Sequence, residues 1–368
     1  MDRHAEARVD LGVIAGNVAT LRERVAPAGV MAVVKADGYG HGAVAAARAA
    51  LDGGADWLAV VHVAEALELR AAGITAPLLC LMSLPTDPHE EAIASDVELS
   101  AGTPAMVTAL ASAAGRLGST VRVHLKVDTG MSRGGAAPSE WPALVKTALA
   151  SEHLEIAALW SHFASSDDPG NPSIGAQLAA FEEASEAAYD LGTDRTVTRH
   201  LANTAAGITV PESRFDLVRF GGGVYGLSTL PGGAPGWLRP AMTLTARLIQ
   251  VKRVPAGSGV SYNHRYVTPA ETTLGLVPLG YADGVPRTAI GQPLVWARGK
   301  RWKIAGTVCM DQFVIDFGDE PVQTGDEVVL FGPGDDGEPT AQEWGERLGT
   351  ISYEIATGLG RRVPKVYG

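Results

Sequence analysis

The sequence contains little cysteine and few aromatic residues, which make up 6% of the chain. Its only cysteines, Cys80 and Cys309, both lie in apolar surroundings. Two such residues argue against a disulfide framework, and no Cys/His spacing typical of a metal site is present. We therefore expect two buried free thiols and no bound metal.

Positive charge is also scarce, because 30 Lys and Arg residues face 41 Asp and Glu residues, for a net charge of -11. Nucleic-acid binding depends on basic clusters that neutralise phosphates, and the sequence has none. No apolar stretch approaches the ~18 residues of a membrane span. The first six residues, MDRHAE, lack the apolar core of a signal peptide. We expect a cytoplasmic protein without nucleic-acid or membrane partners.

With 368 residues, the chain is too long for one ordinary core. Over its first 220 residues, short apolar runs alternate with helical patterns. The runs, predicted as strands, are residues 30–34, 57–61, 78–82, 97–100, 121–127, 156–160, 197–202 and 217–220. The helical patterns include residues 11–25 after the N-cap Asp10, 63–72, 104–114 closed by Gly115, 139–150 and 177–191 closed by Gly192.

Near-continuous apolar strands that alternate with helices predict a parallel (β/α)8 barrel of the TIM type, with an open doubly wound sheet as the alternative. In the barrel, active sites lie at the carboxyl ends of the strands. Reactive or polar residues follow six of the eight runs there: Lys35, His62, residues 126–133, His162, Asn203 with Thr204, and Arg219. This placement favours the barrel.

The composition changes at residues 231–236, PGGAPG. Beyond it, β-rich segments separated by turn residues occupy 243–251, 273–279, 294–297, 302–308, 313–317 and 327–331, followed by helical patterns at 341–348 and 352–357. We therefore predict a barrel domain at residues 1–235 and a mainly-β domain at 236–368, the latter a small antiparallel barrel or sandwich.

Lys35 stands where the first apolar run meets a glycine-rich loop. Burial lowers the pKa of such a lysine, and its neutral amine can form a Schiff base with an aldehyde. The alternative is a lysine that only extends from a strand end into solvent. Tyr39 lies in the following loop, where its hydroxyl could hold an anionic group.

The loops after the seventh and eighth runs carry Asn203-Thr204 and Gly221-Gly222-Gly223. Loops at these positions of a barrel commonly bind phosphate through backbone N–H groups, although a triple glycine alone more often marks a tight turn. Together with a reactive lysine on the same face, they indicate a phosphorylated aldehyde cofactor, pyridoxal 5'-phosphate.

Successive motifs over nearly the whole chain resemble those of the alanine racemase family. They are AVVKADGYGHG, HLKVDTGMSRGG, WSHFASSD, HLANTAA, VRFGGGVYG, VSYNHRY, GYADGVPR, GTVCMDQ and SYEIAT. The resemblance implies a fold-type III pyridoxal phosphate enzyme that interconverts L-alanine and D-alanine and supplies D-alanine for peptidoglycan. It also implies a homodimer with shared active sites.

The resemblance assigns roles to individual residues. Lys35 would bind the cofactor and act as one acid/base group, and Tyr262 from the partner chain would be the other. Inversion requires such a pair, because the proton leaves one face of Cα and arrives on the opposite face. Arg219 would face the pyridine nitrogen and disfavour its protonation, and His162 would orient Arg219.

Further roles follow from the same resemblance. Arg133 would contact the cofactor's phenolic oxygen and the substrate carboxylate, and Lys126 matches a lysine that the family often carries as a carbamate. The remaining cofactor-binding residues would be Tyr39, Asn203, Thr204, Gly221, Gly222 and Tyr353. On the substrate side, Met310 would offer its amide to the carboxylate, and Tyr281, with Arg287 and Asp311, would line the entrance corridor.

Some positions depart from the family pattern. Asn263 and Arg265 stand where glycine and a small residue are commoner, and Gly222-Gly223 replaces a commoner isoleucine-alanine pair. These changes leave the preference among alanine, serine and other small amino acids open. Two other functions stay open: a decarboxylase of the same fold type, which should carry an acidic residue at the pyridine nitrogen, and a non-catalytic cofactor carrier made of a single barrel. Arg219 argues against the decarboxylase, and the presence of Tyr262 and of the second domain argues against the non-catalytic carrier.

Overall fold

A computed structural model describes residues 4–368. Strands are numbered along the chain, and β1 (Ala5–Val9) belongs to a second sheet treated below. Eight parallel strands follow in one sheet: β2 (Gly29–Val33), β3 (Trp57–Val60), β4 (Leu78–Cys80), β5 (Glu98–Ala101), β6 (Val121–Lys126), β7 (Leu154–Trp160), β8 (Thr198–His200) and β9 (Leu217–Phe220). Their order is β8-β7-β6-β5-β4-β3-β2-β9, so the last strand pairs with the first.

The sheet curves into a nearly closed barrel. Between β8 and β9, the Asp216 amide donates to the Arg199 carbonyl at 3.1 Å and the Arg219 amide donates to the Ala202 carbonyl at 3.0 Å. These bonds join the two edges that an open sheet would leave unpaired. The predicted barrel is confirmed, and the doubly wound alternative is not formed.

Helices cover the outside of the barrel. They span Leu11–Val25, Ala43–Asp52, Val63–Ala71, His89–Ala94, Pro104–Leu117, Trp141–Leu149, Pro172–Asp190 and Thr204–Thr209. The first begins as its sequence predicts, because the Asp10 carboxylate accepts a bond from the Val13 amide at 2.9 Å. Its apolar face, which includes Ile14, Val18 and Leu21, is buried. Strand residues such as Val30 and Leu58 are fully buried, as expected where helices cover a parallel sheet.

The largest differences from the predicted helix boundaries occur in two helices. The helix that was expected to end at Gly115 continues to Leu117 and ends at Gly118, whose φ of 61° suits glycine. Gly115 instead lies where a Cβ would come within 3.0 Å of the His153 ring. The helix expected from residue 177 begins at Pro172, and the Asn171 side chain caps it by accepting a bond from the Ser173 amide.

The remaining strands form a mainly-β domain, as predicted. They are β10 (Met242–Arg247), β11 (Gln250–Val254), β12 (Gly259–Val260), β13 (Tyr266–Val267), β14 (Thr272–Val277), β15 (Val295–Ala297), β16 (Lys300–Trp302), β17 (Ile304–Ala305), β18 (Phe313–Asp316), β19 (Glu327–Phe331) and β20 (Lys365–Tyr367). Helices Ala341–Leu348 and Ser352–Thr357 coincide with the predicted ones. The segment 243–251, predicted as one strand, is divided between β10 and β11, which lie in different sheets.

The six-stranded sheet has the order β16-β15-β19-β10-β1-β20, and a four-stranded sheet has the order β11-β14-β18-β17. In the first, β1 runs antiparallel to β10 and parallel to β20. The sequence had suggested neither β1 nor β20. Residues 5–9, which precede the barrel along the chain, therefore pair with strands that follow it.

Candidate active site

A cavity of about 740 Å³ opens at the carboxyl ends of the barrel strands. Most of the residues predicted for the site line it: Lys35, Tyr39, Lys126, Arg133, His162, Asn203, Thr204, Arg219, Gly221, Gly222 and Tyr353. They come from separate strands and loops, and the fold brings them together as a barrel should.

The cavity is strongly electropositive. Lys35, Lys126, Arg133 and Arg219 all line it, and among the described residues no Asp or Glu does. The chain as a whole carries a net charge of -11, so this concentration of cations is local. Such a cavity suits an anionic ligand.

The turn after Lys35 is left-handed. Ala36, Asp37, Gly38, Tyr39 and Gly40 have φ angles of 52°, 54°, 61°, 52° and 83°. This conformation costs roughly 1–2 kcal/mol for each residue that carries a Cβ, so surrounding contacts must stabilise it. The turn places both the Lys35 and the Tyr39 side chains in the cavity lining.

Asp37 provides two of these stabilising contacts. One of its carboxylate oxygens accepts a bond from the Ala43 amide at 2.9 Å, and the other lies 2.6 Å from Nζ of Lys365 on β20. The second domain therefore contributes directly to the turn. Gly40 also approaches that domain closely, since a Cβ there would lie 2.3 Å from the Ala356 carbonyl oxygen.

Glu65 is a functional residue that the sequence reading missed. One carboxylate oxygen accepts a bond from the Ala36 amide at 2.7 Å, and the other accepts bonds from the Val61 and His62 amides at 2.9 and 3.0 Å. Glu65 thus joins the end of β3 to the turn after Lys35. The sequence feature that could have indicated this role is a glutamate in the first turn of the helix after β3.

Burial lowers the pKa of the Lys35 amine, and the positive charges of Arg133 and Arg219 add to this effect. A larger share of the amine is therefore neutral near pH 7 than in an exposed lysine. Burial together with Arg219 and Arg133 also lowers the pKa of Lys126, to about 8. Its Nζ lies 4.3 Å from the centroid of the Trp160 ring.

Arg219 is buried, and its guanidinium is held by acceptors. Nη2 donates to the carbonyls of Ser161 and Leu201 at 2.7 and 3.0 Å, and Nη1 donates to the His200 carbonyl at 2.9 Å. Nη1 also lies 2.8 Å from Nδ1 of His200, and Nη2 lies 3.0 Å from Nδ1 of His162. Burial lowers the pKa of Arg219 to about 9, which still leaves it charged at neutral pH.

Both histidines must be neutral here. A guanidinium only donates hydrogen bonds, so each Nδ1 atom that faces it must be an acceptor. Burial and the nearby positive charge of Arg219 hold the pKa of His162 and of His200 well below the usual range. The predicted contact between His162 and Arg219 is present, and His200 is an additional partner.

Gly221, Gly222 and Thr204 form a small polar cup with two tyrosines. The Thr204 hydroxyl accepts bonds from the amides of Gly221 and Gly223 at 3.1 and 3.3 Å. A Cβ at Gly221 would lie 2.2 Å from Oη of Tyr39, and a Cβ at Gly222 would lie 2.2 Å from Oη of Tyr353. Hydroxyl and amide donors converge here because glycine leaves the space free.

Three predicted site residues lie outside the cavity lining. Tyr262, Tyr281 and Met310 are 67%, 44% and 53% exposed. They belong to neighbouring segments of the second domain: the Tyr281 amide donates to the Cys309 carbonyl, and the Thr307 hydroxyl donates to the Tyr262 carbonyl. We call the surface formed by Tyr262, Tyr281 and Met310 the exposed tyrosine face. Within one chain it does not contribute to the cavity.

The sequence matches two family models, "Alanine racemase, N-terminal domain" over residues 9–229 and "Alanine racemase, C-terminal domain" over residues 241–367. An alanine racemase from Thermobifida fusca is 54% identical over 371 residues, covering 100% of this chain and 99% of that protein. The chain belongs to the alanine racemase family.

Solved structures of the alanine racemase family have the same fold. The enzyme from D-cycloserine-producing Streptomyces lavendulae superposes with a TM-score of 0.98 at 47% identity, covering 100% of this chain and 98% of that one. The enzyme from Streptomyces coelicolor A3(2) superposes with a TM-score of 0.97 at 48% identity, covering 99% and 98%. The family resemblance inferred from the motifs is confirmed.

Other expectations can be compared with the described residues. Cys80 is buried and Cys309 is partly buried, and both are free thiols. Residues 4–368 contain no group of three or more His, Cys, Asp or Glu side chains that could hold a metal ion. Within the same range, no helix has the length and apolarity to cross a membrane. The carboxylate that a decarboxylase should place at the cavity is absent from the lining of this alanine racemase family member.

We expect the Lys126 amine to titrate near pH 8 in degassed buffer, well below the value of about 10.4 for an exposed lysine. Above its own pKa the amine is neutral. The pKa of Lys126 should rise toward its ordinary value in Arg133→Gln, because the positive charge of Arg133 lowers it. NMR titration of lysine side chains, with Lys126→Arg to assign the resonance, measures both effects. An ordinary lysine pKa for Lys126 in the folded protein would contradict the prediction.

Proposed function

We propose that this chain is a homodimeric, cytoplasmic enzyme that interconverts L-alanine and D-alanine with pyridoxal 5'-phosphate as cofactor, supplying D-alanine for peptidoglycan. The observation that carries the proposal is the cavity that joins a lysine of lowered pKa to three further cations without a carboxylate. Membership of the alanine racemase family supports the reaction.

The residues of the cavity fit the cofactor. Because Gly221 and Gly222 lack a Cβ, the hydroxyls of Tyr39 and Tyr353 approach the backbone of the polar cup closely, and together with the Thr204 hydroxyl they can donate to a phosphate. Asn203 caps the short helix that begins at Thr204, since its side chain accepts a bond from the Ala206 amide at 3.1 Å. When bound, pyridoxal phosphate supplies an electron sink that makes the Cα proton of an amino acid acidic.

Lys35 would hold the cofactor aldehyde through its amine and would exchange a proton with one face of the substrate Cα. Its lowered pKa favours both tasks, because only the neutral amine is a nucleophile or a base. Glu65 and Asp37 stabilise the left-handed turn that follows and so keep the amine at the mouth of β2.

Arg219 presents a positive charge to the pyridine nitrogen. The side chain is fixed by carbonyls on two sides and by Nδ1 of His162 and His200, so its donors are oriented before any ligand binds. A cation that keeps the ring nitrogen unprotonated weakens the electron sink, which should limit side reactions of the carbanion.

Arg133 binds the substrate carboxylate and the phenolic oxygen of the cofactor. We further propose that Lys126 carries a carbamate: its neutral amine attacks carbon dioxide, an N–C bond forms, and the nitrogen releases a proton. The product is an anion, which attracts Arg133, whereas the unmodified ammonium repels it. A pKa of about 8 keeps part of the amine neutral and so supports this reaction.

Tyr262 is the second acid/base group and acts in the cavity of the partner chain. Its exposure, and its distance from the cavity lining of its own chain, support this assignment. Met310 would give its amide to the substrate carboxylate and Tyr281 would line the entrance corridor, both from the same exposed tyrosine face. In this arrangement the barrel domain together with Tyr353 supplies the cofactor cavity, and other residues of 236–368 supply the opposing face.

Incubation of the purified, cofactor-loaded protein with L-alanine in deuterated water should replace the Cα proton by deuterium and yield D-alanine. NMR follows the exchange, and chiral chromatography follows the new enantiomer. Lys35→Ala should lower the rate by at least about 10²–10⁴-fold, the usual contribution of an acid/base group. L-Serine, used in parallel, measures substrate breadth. Absence of exchange despite bound cofactor would exclude racemisation.

Mixed dimers test whether the site is shared. Lys35→Ala and Tyr262→Phe chains should each be nearly inactive, but their heterodimer contains one intact site if Tyr262 acts in the partner. Random mixing should therefore restore about a quarter of the activity of the unmodified dimer.

Mixing Lys35→Ala with Arg219→Gln is the matched control. Both residues line the cavity of their own chain, so a heterodimer of these two variants carries one change in each cavity and has no intact site. This mixture should stay nearly inactive. If the Lys35→Ala and Tyr262→Phe mixture is no more active than this control, although heterodimers form in both mixtures, Tyr262 does not act in the partner.

Carbamate on Lys126 should be detectable as the added mass of carbon dioxide under native conditions in bicarbonate buffer. Acidification should remove it, because a protonated carbamate decomposes, and Lys126→Met should never show it. A crystal structure grown in bicarbonate with an unmodified amine at Lys126 would refute the modification.

A further inference from the structure

A chain of buried hydrogen bonds leads from Arg219 across the interior of the barrel. Nη1 of Arg219 lies 2.8 Å from Nδ1 of His200, and Nε2 of His200 lies 2.8 Å from Nδ1 of His124. Nε2 of His124 then lies 2.7 Å from Oε2 of Glu98. These four residues lie on β9, β8, β6 and β5. We call them the interior chain.

Every member of the interior chain is shielded from solvent. His124 and His200 are fully buried, and Glu98 and Arg219 are 5% and 4% exposed. The Trp160 ring lies parallel to His200 with 5.6 Å between centroids, and the Trp57 ring lies 5.3 Å from His124. Water therefore cannot readily replace a lost hydrogen-bond partner here, and each buried donor must meet an acceptor within the protein.

The two ends determine the direction of every bond. Arg219 can only donate, so Nδ1 of His200 is the acceptor and its proton lies on Nε2. That proton is donated to Nδ1 of His124, whose own proton consequently lies on Nε2 and is donated to the Glu98 carboxylate. One arrangement satisfies all three bonds, with both histidines neutral and both protonated on Nε2.

Any other protonation pattern brings two donors together. A protonated Glu98 that donates to Nε2 of His124 would reverse the direction of every hydrogen bond in the interior chain. The Nδ1–H group of His200 would then point at Arg219. Adding a proton to either histidine has the same result. The ionised state of Glu98 is thus linked to the orientation of Arg219, although His124 and His200 separate the two side chains.

Glu98 also has a partner outside the interior chain. Its Oε1 accepts a bond from Nη1 of Arg122 at 2.7 Å, and Arg122, which is partly exposed, lies 3.3 Å from the Glu155 carboxylate as well. Arg122 therefore stabilises the charge of Glu98 from the solvent side. Positive and negative groups alternate along this line, with the two neutral histidines between Glu98 and Arg219.

We propose that Glu98 and His124 are positioning residues that act through His200 to fix the orientation and hydrogen-bonding direction of the Arg219 guanidinium. This inference rests on the proposed function, in which Arg219 faces the pyridine nitrogen. Neither residue lines the cavity, so neither touches substrate or cofactor.

The first test needs no substitution and no cofactor. Nitrogen-15 NMR of the cofactor-free protein distinguishes protonated from unprotonated ring nitrogens, and both His124 and His200 should be neutral with the proton on Nε2. A proton on Nδ1 of either residue would overturn the proposal. Because this measurement is independent of activity, it stands even if the protein fails to racemise alanine.

The second test uses Glu98→Gln. In one orientation, the glutamine presents its carbonyl to His124 and its NH2 group to Arg122, so that two donors meet. In the flipped orientation, its NH2 group donates to His124, which reverses the direction of the hydrogen bonds along the interior chain as far as Arg219. We therefore expect altered tautomers of His124 and His200, a changed absorption spectrum of the bound cofactor, and a kcat lower by about 10²-fold with little change in KM.

Glu155→Gln is the matched control, because it makes the same substitution in the other carboxylate beside Arg122. It should leave the tautomers, the spectrum and kcat unchanged. A residue that is only structural would alter the melting temperature but not the cofactor spectrum. Suppose that the unmodified protein racemises alanine but Glu98→Gln shows the same histidine tautomers and cofactor spectrum as Glu155→Gln. That result would overturn this inference and leave the proposed function intact.

Discussion

The buried guanidinium of Arg219 is the constraint on which much of the site depends. A charge with 4% exposure is tolerated only when its donors are satisfied, and here three carbonyls and two imidazoles accept them. Those acceptors come from the ends of β7 and β8 and from the residues that follow. The same bonds that stabilise the cation therefore hold together the region where the barrel closes.

Lys35, which follows the neighbouring strand β2, is constrained differently. Lys35 is followed by five residues in the left-handed region, a conformation that needs support from outside the turn. Glu65 supplies it from the barrel, and Lys365, through Asp37, supplies it from the second domain. The contacts that hold Arg219 thus come from the barrel alone, whereas the turn after Lys35 depends on both domains.

Much of this could be predicted from the sequence. The eight barrel strands were identifiable because they form near-continuous apolar runs, and the cavity residues follow them in positions that a barrel brings together. The short strands β1 and β20 were not, because AEARV and KVY carry too weak a pattern and pair only with segments distant in sequence. The predicted helix end at Gly115 was wrong, because the sequence does not distinguish a glycine that makes room for a neighbouring ring from a glycine that ends a helix.

Side-chain partnerships were harder to predict than positions. His124 and His200 lie on β6 and β8 beside other polar side chains, and only the folded barrel brings them within hydrogen-bond distance of each other and His124 within that distance of Glu98. Glu65 was equally hidden, because the amides that it binds belong to two different turns. The sequence indicates where reactive groups lie, whereas the hydrogen-bond acceptors that orient them depend on long-range contacts.

The contact between Asp37 and Lys365 has a consequence for the order in which the molecule assembles. A chain made from its amino end could close the barrel strands before residue 365 exists, but the turn behind Lys35 would still lack one of its supports. The strand β1 would likewise wait for β10 and β20. The cofactor lysine therefore reaches its final setting late in biosynthesis, when the last strand docks against the first.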